Sequence, residues 1–168
     1  MPVHPPLFPA VLRPAAQYER IPHHHAVMAS WLGHLFAIFA VALIGRYLIR
    51  YHNLSLSALS PLFWLPLLSI ATVPIMTWVS GKLWIDNLHA GLAAMSVALA
   101  LMADRFRYAQ FLYLLSGICL GLALLSKITS ALIIPLIIYI IFVNETDVKK
   151  RIQALLWGYI PTLLLSLH

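Results

Sequence analysis

The sequence predicts an all-α protein, a polytopic transmembrane helix bundle of about six spans. Of its 168 residues, 62% are hydrophobic and only 10% are charged, and the mean hydropathy is +0.89. Water-soluble domains carry about 25% charged residues, so the solvent of this chain is expected to be lipid. A bilayer core of about 30 Å needs about 20 apolar residues per helix. The chain therefore has room for at most about six short spans and for no separate soluble domain.

Apolar stretches divide the chain into a short N-terminal segment and a transmembrane domain. Residues 1–26 are polar and rich in proline, and they are predicted to form an extracytoplasmic loop segment. Residues 27–168 form the predicted transmembrane domain. The last two stretches hold about 16 residues each, so they must form thin spans or begin in the headgroup region. The predicted spans are 27–49, 61–79, 84–103, 108–126, 128–143 and 152–167.

Positive charges between the spans predict the orientation, because cytoplasmic loops carry an excess of lysine and arginine. Every second connection between the spans holds most of the lysine and arginine residues, and one topology places all the charges of these connections on the cytoplasmic side. The N-terminal segment, the loop from Gly81 to Asn87 and the turn from Ser126 to Ser130 then lie outside. We expect an integral, multi-pass protein of a bacterial plasma (inner) membrane. The cytoplasmic charges are Arg46, Arg50, Arg105, Arg107, Lys149, Lys150 and Arg151, and the other connections hold only Lys82 and Lys127.

Small residues and prolines inside the spans predict how the helices pack. Gly117 with Gly121, and Ala94 with Ala98, have the spacing that lets helix backbones approach closely. A proline inside a span frees a carbonyl and can bend its helix. Prolines at such positions are Pro66, Pro74, Pro135 and Pro161.

Several functions are excluded or made improbable by composition. The basic residues are scattered between apolar runs, so a nucleic-acid interface is not predicted. Cys119 is the single cysteine, which rules out a disulfide within the chain, and its position in an apolar run indicates a packing role. The run from His23 to His25 is interpreted as a surface loop rather than a metal site. No phosphate-binding glycine loop or catalytic Ser-His-Asp order is present.

Asp86 is the acidic residue of greatest interest, because it stands on the predicted outer side at the start of a span. Its carboxylate could cap the helix, act as a general base toward an acceptor hydroxyl, or bind a divalent metal. His89 follows three residues later and shares a helical face with it, either as an interfacial histidine or as a binding group. Lys82 lies in the same external loop and is a further candidate for substrate binding.

Lys127 is the other informative charge, because it lies between two apolar spans. It must either extend toward the lipid headgroups or meet an anion at the membrane edge. An ammonium with Ser126, Thr129 and Ser130 nearby is suited to binding a lipid phosphate.

Three motifs together resemble the GT-C glycosyltransferases of the protein O-mannosyltransferase and aminoarabinose-transferase type. The stretch from His4 to Pro9 is similar to the H-P-P-L-aromatic sequence of that group. The segment Gly117-Ile-Cys-Leu-Gly-Leu-Ala-Leu-Leu-Ser-Lys127, followed by Ala131-Leu-Ile-Ile-Pro135, is similar to its G-x-x-x-G-L-A-x-L-(S/T)-K...A-L-x-x-P signature. Asp86 occupies the place of the second external acidic position. The fold expected from this resemblance is a partial GT-C-type membrane domain.

The resemblance implies transfer of a sugar from a polyprenyl-phosphate donor to an acceptor hydroxyl outside the cytoplasm. In this chain Asp86 would be the catalytic candidate, and Lys82, His89, Lys127 and His4 would bind substrate. No cofactor is indicated with certainty, and a divalent metal is compatible with the chemistry. The expected partners are the lipid-linked sugar and membrane lipid. The principal acidic motif of such enzymes precedes the H-P-P stretch, so the chain is expected to be a fragment that is inactive alone.

A second hypothesis comes from a different class. The chain could be a non-enzymatic multi-span membrane protein, either a piece of a transporter or an assembly partner. An upstream reading frame without a transmembrane segment and an acidic loop would favour it.

Overall fold

The computed structural model describes residues 23–53, 61–72, 85–104 and 106–166, and this part of the chain is helical with no β-strand. The prediction of an all-α protein is therefore confirmed. A 3-10 helix, Ile128–Ile133, follows the fourth α-helix after a single residue, Lys127. The α-helices are α1 (His23–Tyr51), α2 (Pro61–Thr72), α3 (Ile85–Ala103), α4 (Ala109–Ser126), α5 (Ile134–Asn144) and α6 (Val148–Ser166).

Three of these helices are long and apolar enough to cross a membrane: Val27–Tyr51 of α1, Asp86–Ala103 of α3 and Ala109–Ser126 of α4. The apolar helical segment Ile128–Asn144 is shorter. Helix α6 also has 19 residues, but it carries Lys149, Lys150 and Arg151 in its first turn. With these three charges it does not count among the helices that are apolar enough to cross a membrane.

Large apolar side chains cover the outside of the molecule. Phe39 of α1 is 62% exposed, and Leu132 of the 3-10 helix is 83% exposed. Exposed apolar surface on this scale marks contact with lipid or with another protein. It is what the low charge content of the sequence predicts.

Two pairs of glycines set the closest helix contacts. A methyl group added at Gly117 of α4 would overlap the carbonyl oxygen of Gly158 of α6, and one added at Gly91 of α3 would overlap the carbonyl oxygen of Gly33 of α1. Gly121 also lies against α6. The prediction that Gly117 and Gly121 mark a helix contact is thus confirmed, whereas the pairing of Gly33 with Gly91 was not predicted.

Buried hydroxyl groups join the same helices. The Oγ atoms of Ser96 in α3 and Ser116 in α4 each donate to the other residue's carbonyl oxygen at 2.8 Å. Thr162 of α6 donates to the carbonyl oxygen of Gly117 at 2.8 Å. Inside an apolar bundle these bonds avoid the free-energy cost of burying an unpaired hydroxyl.

Two expectations about local structure were wrong. The run from His23 to His25 forms the first turn of α1 and not a loop, so this helix begins four residues before the predicted span. Pro135 does not bend a span, because it lies in the first turn of α5, where its missing N–H costs nothing. Pro66 and Pro161 do lie inside helices, and Pro74 lies outside the described residues.

Two helix connections meet at one end of the bundle. Tyr113, near the start of α4, donates its hydroxyl to Glu145 Oε1 at 3.2 Å, just after the end of α5. Gln110 of α4 donates to Gln153 of α6 at 3.1 Å. The α3–α4 and α5–α6 connections are therefore neighbours, and Lys127 lies beyond the opposite end of α4. This arrangement agrees with the alternation of charge from which the orientation was predicted.

Candidate functional site

Asp86 is positioned by the first turn of α3. It is the second residue of that helix, so it lies inside the helix and is not the residue that caps it. A carboxylate in the first turn is favoured by the positive end of the helix dipole. The side chain is 48% exposed at the end of the bundle, where it can contact both protein and solvent.

Lys127 is positioned by a break in the helical chain. Helix α4 ends at Ser126, and Lys127 takes an extended backbone conformation with φ −158° and ψ 124°. Its N–H still donates to the carbonyl oxygen of Ala123 at 2.8 Å, and its carbonyl oxygen accepts from Ser130 N at 3.1 Å. The break aims the lysine side chain away from the axis of α4.

The two side chains form an ion pair. Lys127 Nζ lies 2.5 Å from Asp86 Oδ1, with the lysine side chain 43% exposed. The prediction placed these residues on the same surface, and the structure brings them into direct contact. The anion that Lys127 meets is thus a carboxylate of α3, and both hypotheses for Lys127, extension toward the headgroups and contact with a lipid phosphate, stay predictions.

His89 extends this site by one helical turn. Its Nε2 lies 3.3 Å from Thr129 Oγ1, at the start of the 3-10 helix. The predicted common face of Asp86 and His89 is confirmed, since both reach the same segment. The Nδ1 of His89 is buried and makes no hydrogen bond with the described residues. Together Asp86, His89, Lys127 and Thr129 form what we call the outer polar site, a name that follows the predicted orientation.

Ser126 and Ser130, which were expected to help Lys127 bind a lipid phosphate, do not present their hydroxyls at the surface. Ser126 is buried, and its hydroxyl donates to the carbonyl oxygen of Leu122 at 2.9 Å. Ser130 is 1% exposed, and its Oγ has no hydrogen-bond partner among the described residues. The helical turn that ends α4 and the tight 3-10 helix that follows turn both side chains inward. Of the three hydroxyl-bearing residues predicted to lie near Lys127, only Thr129 is exposed.

Lys82 and His4, the remaining predicted substrate-binding residues, lie outside the described residues. Among those that are described, no group of three or more histidine, cysteine or acidic side chains is arranged to hold a metal ion. At the outer polar site the lysine ammonium lies where a cation bound to Asp86 Oδ1 would sit. Cys119 is a free thiol and is partly buried; its packing role stays a prediction.

A cavity of about 760 Å³ lies at the other end of the bundle. It is lined by residues of the α3–α4 and α5–α6 connections and does not include Asp86, His89 or Lys127. This cavity was not predicted, because its walls come from two segments about 40 residues apart whose proximity depends on how α4 packs against α6.

Comparison of the chain with protein-family models, with curated proteins and with solved structures finds no match. The resemblance to GT-C glycosyltransferases therefore stays a prediction from three sequence motifs.

Proposed function

We propose that this chain is the membrane-embedded part of a glycosyltransferase that moves a sugar from a polyprenyl-phosphate donor to an acceptor hydroxyl outside the cytoplasm. The observation that carries the proposal is the ion pair between Asp86 and Lys127, in which Lys127 Nζ lies 2.5 Å from Asp86 Oδ1. It joins, on one half-exposed surface, an acidic and a basic group of the kinds that this transfer requires.

The proposed membrane topology is multi-pass. Three long apolar helices, the shorter apolar segment Ile128–Asn144 and the outward-facing apolar side chains support it. The positive charges of the α3–α4 and α5–α6 connections gather at one end of the bundle, which is the pattern of a cytoplasmic surface. The outer polar site, at the other end, would then face the extracytoplasmic side.

The chemistry assigns one step to each charged group. Asp86 would accept the proton of the acceptor hydroxyl while the hydroxyl oxygen forms a bond to the anomeric carbon of the sugar. The bond from that carbon to the phosphate oxygen breaks, and the polyprenyl phosphate leaves with the electron pair. A lysine ammonium has three N–H donors, so Lys127 can donate to Asp86 and to the departing phosphate at once. Its positive charge would stabilise the negative charge that develops on the leaving group.

Thr129 and His89 complete this arrangement. Thr129 lies two residues after Lys127 and is exposed, so its hydroxyl can donate to a phosphate oxygen. His89 holds that hydroxyl from the α3 side at 3.3 Å. Helix α3 and the 3-10 helix thus place their polar groups side by side, and a substrate bound there would touch both helices.

The competing non-enzymatic hypothesis gives the same ion pair a different role. In a transporter piece or an assembly partner, Asp86 and Lys127 would only join the ends of α3 and α4. Removing either charge would then leave no catalytic activity to lose. The two hypotheses are separated by measuring transfer rather than folding.

The test is a transfer assay in liposomes with the full-length protein that carries this sequence, using polyprenyl-phosphate donors that carry a labelled hexose or pentose. Loss of a general base lowers the rate by about 10²-fold to 10⁴-fold, so Asp86→Asn should lose most transfer while Asp86→Glu retains a part of it. Lys127→Ala should raise the KM for the lipid donor. Arg46→Gln removes a positive charge far from the site and should leave both parameters unchanged. Normal turnover in Asp86→Asn and Lys127→Ala would refute the site, and absence of transfer by the unaltered protein would favour the non-enzymatic hypothesis.

A further inference from the structure

The cavity at the end opposite to the outer polar site has no role in the proposed sugar transfer. It has a volume of about 760 Å³ and lies between the α3–α4 connection and the α5–α6 connection. The hydrogen bond from Gln110 to Gln153, at 3.1 Å, joins the two helices that border it. Exposed side chains such as Tyr108 and Trp157 belong to its lining, so the cavity reaches the molecular surface.

Both signs of charge line this cavity. Arg107 and Lys150 are its cations, and Asp104, Glu145 and Asp147 are its carboxylates. Glu145 accepts from the Tyr113 hydroxyl through Oε1, and Asp147 accepts from the backbone N–H of Lys149 through Oδ1. Each carboxylate has further lone pairs for a ligand. The cavity therefore suits a ligand that carries a cation and an anion together.

Aromatic side chains place the cavity at the depth of the lipid headgroups. Tyr108 is 63% exposed and Trp157 is 46% exposed, and tryptophan and tyrosine collect at membrane–water interfaces. Phe106, in the α3–α4 connection, is exposed beside them. Phe106 and Tyr108 lie just before α4, at the end that carries the positive charges, and Trp157 lies nine residues into α6, so the cavity extends from that end toward the middle of the bundle.

We propose that this cavity binds the headgroup of a zwitterionic phospholipid that carries a primary ammonium, as in a phosphatidylethanolamine. The phosphate would be held by Arg107 and Lys150, and the ammonium by Glu145 and Asp147. The proposal depends on the chain spanning a membrane, but not on sugar transfer at the other end.

The charge balance selects this headgroup over its rivals. A purely anionic headgroup would meet Glu145 and Asp147, the carboxylates that the ammonium of a zwitterionic headgroup would bind. A trimethylated ammonium has no N–H to donate, whereas a primary ammonium has three. Hydrogen bonds between charged partners are the stronger class, so the primary ammonium gains contacts that the trimethylated group cannot make.

The test uses native mass spectrometry of the full chain in detergent with three lipids of identical acyl chains, bearing ethanolamine, choline or glycerol headgroups. The ethanolamine lipid should be retained about tenfold more than either other lipid, which corresponds to the lower end of what one charge-assisted hydrogen bond contributes. Glu145→Gln should reduce that preference. The double variant Arg107→Gln/Lys150→Gln should lose most retention of the ethanolamine lipid.

A matched control removes two arginines that are predicted to lie on the same side of the membrane but do not line the cavity. The double variant Arg46→Gln/Arg50→Gln should retain the ethanolamine lipid as the unaltered chain does. Lys150→Gln alone, at an exposed position, tests the phosphate contact should the first double variant not fold. Equal retention of the three lipids, or equal losses in the two double variants, would overturn the proposal. Soluble glycerophosphoethanolamine that competes as well as the lipid would overturn the assignment to a lipid.

Discussion

Gly117 of α4 and Gly158 of α6 meet backbone to backbone, with the carbonyl oxygen of Gly158 occupying the place that a side chain at position 117 would need. The contact is supported by Thr162, whose Oγ1 donates to the carbonyl oxygens of both glycines, at 2.8 Å and 2.9 Å. Close backbone approach at small residues is a principal source of helix association in membranes. This contact is what places the start of α6 beside the start of α4.

Enlarging Gly117 should therefore separate these helices. Overpacking of a close contact costs about 1–3 kcal/mol, so Gly117→Val should lower the free energy of unfolding by that amount, measured by denaturation in mixed micelles. Gly45→Ala is the matched control, because a methyl group at Gly45 meets nothing within 4 Å. Since alanine favours a helix over glycine, the control should be neutral or slightly stabilising, and equal losses in both variants would contradict the account.

The reciprocal hydrogen bonds of Ser96 and Ser116 should show energetic coupling. Both side chains are buried, and interhelical hydrogen bonds in membranes contribute about 0.6 kcal/mol on average. A double-mutant cycle of Ser96→Ala and Ser116→Ala should give a coupling of about that size. Ser69→Ala serves as the control, because its hydroxyl only bonds within its own helix, to Leu65. Strict additivity of the two buried substitutions would argue against a direct contact.

The ion pair of Asp86 and Lys127 should contribute little to stability. Both side chains are almost half exposed, and exposed pairs are worth about 0.2–1 kcal/mol. Asp86→Asn and Lys127→Met should therefore shift the unfolding free energy by no more than that amount, and the double variant should show little further loss. A loss of several kcal/mol in either single variant would make the pair a structural device and weaken its proposed role in transfer.

The sequence predicted the features that depend on one segment at a time. Helix identity followed from apolar length, and the break at Lys127 followed from a lysine placed between two apolar runs. The contact of Gly117 and Gly121 with another helix followed from their spacing, although the partner did not. Asp86 and Lys127 were placed on one surface by counting charged connections, which needs no knowledge of packing.

Features that join distant segments could not be predicted in this way. The pairing of Gly33 with Gly91 depends on which helices are neighbours. Gly33 and Gly45 of α1 are twelve residues apart and Gly91 is the single glycine of α3, so no close spacing marks the contact. The inward turn of Ser130 arises because the chain after Lys127 forms a 3-10 helix, whereas its apolar composition predicted a span from residue 128. The cavity likewise requires the two helix connections to be side by side.

The most direct test of the central claim asks whether Asp86 and Lys127 face the same, outer side of the membrane. In a Cys119→Ala background, Asp86→Cys and Lys127→Cys are labelled separately in sealed, right-side-out vesicles with a maleimide that cannot cross membranes. Lys150→Cys, at the opposite end of the bundle, is the reference for the inner side. The account predicts labelling of the first two variants in intact vesicles, and of the third only after the vesicles are opened. Labelling of positions 86 and 127 from opposite sides, or of either only after opening, would contradict it.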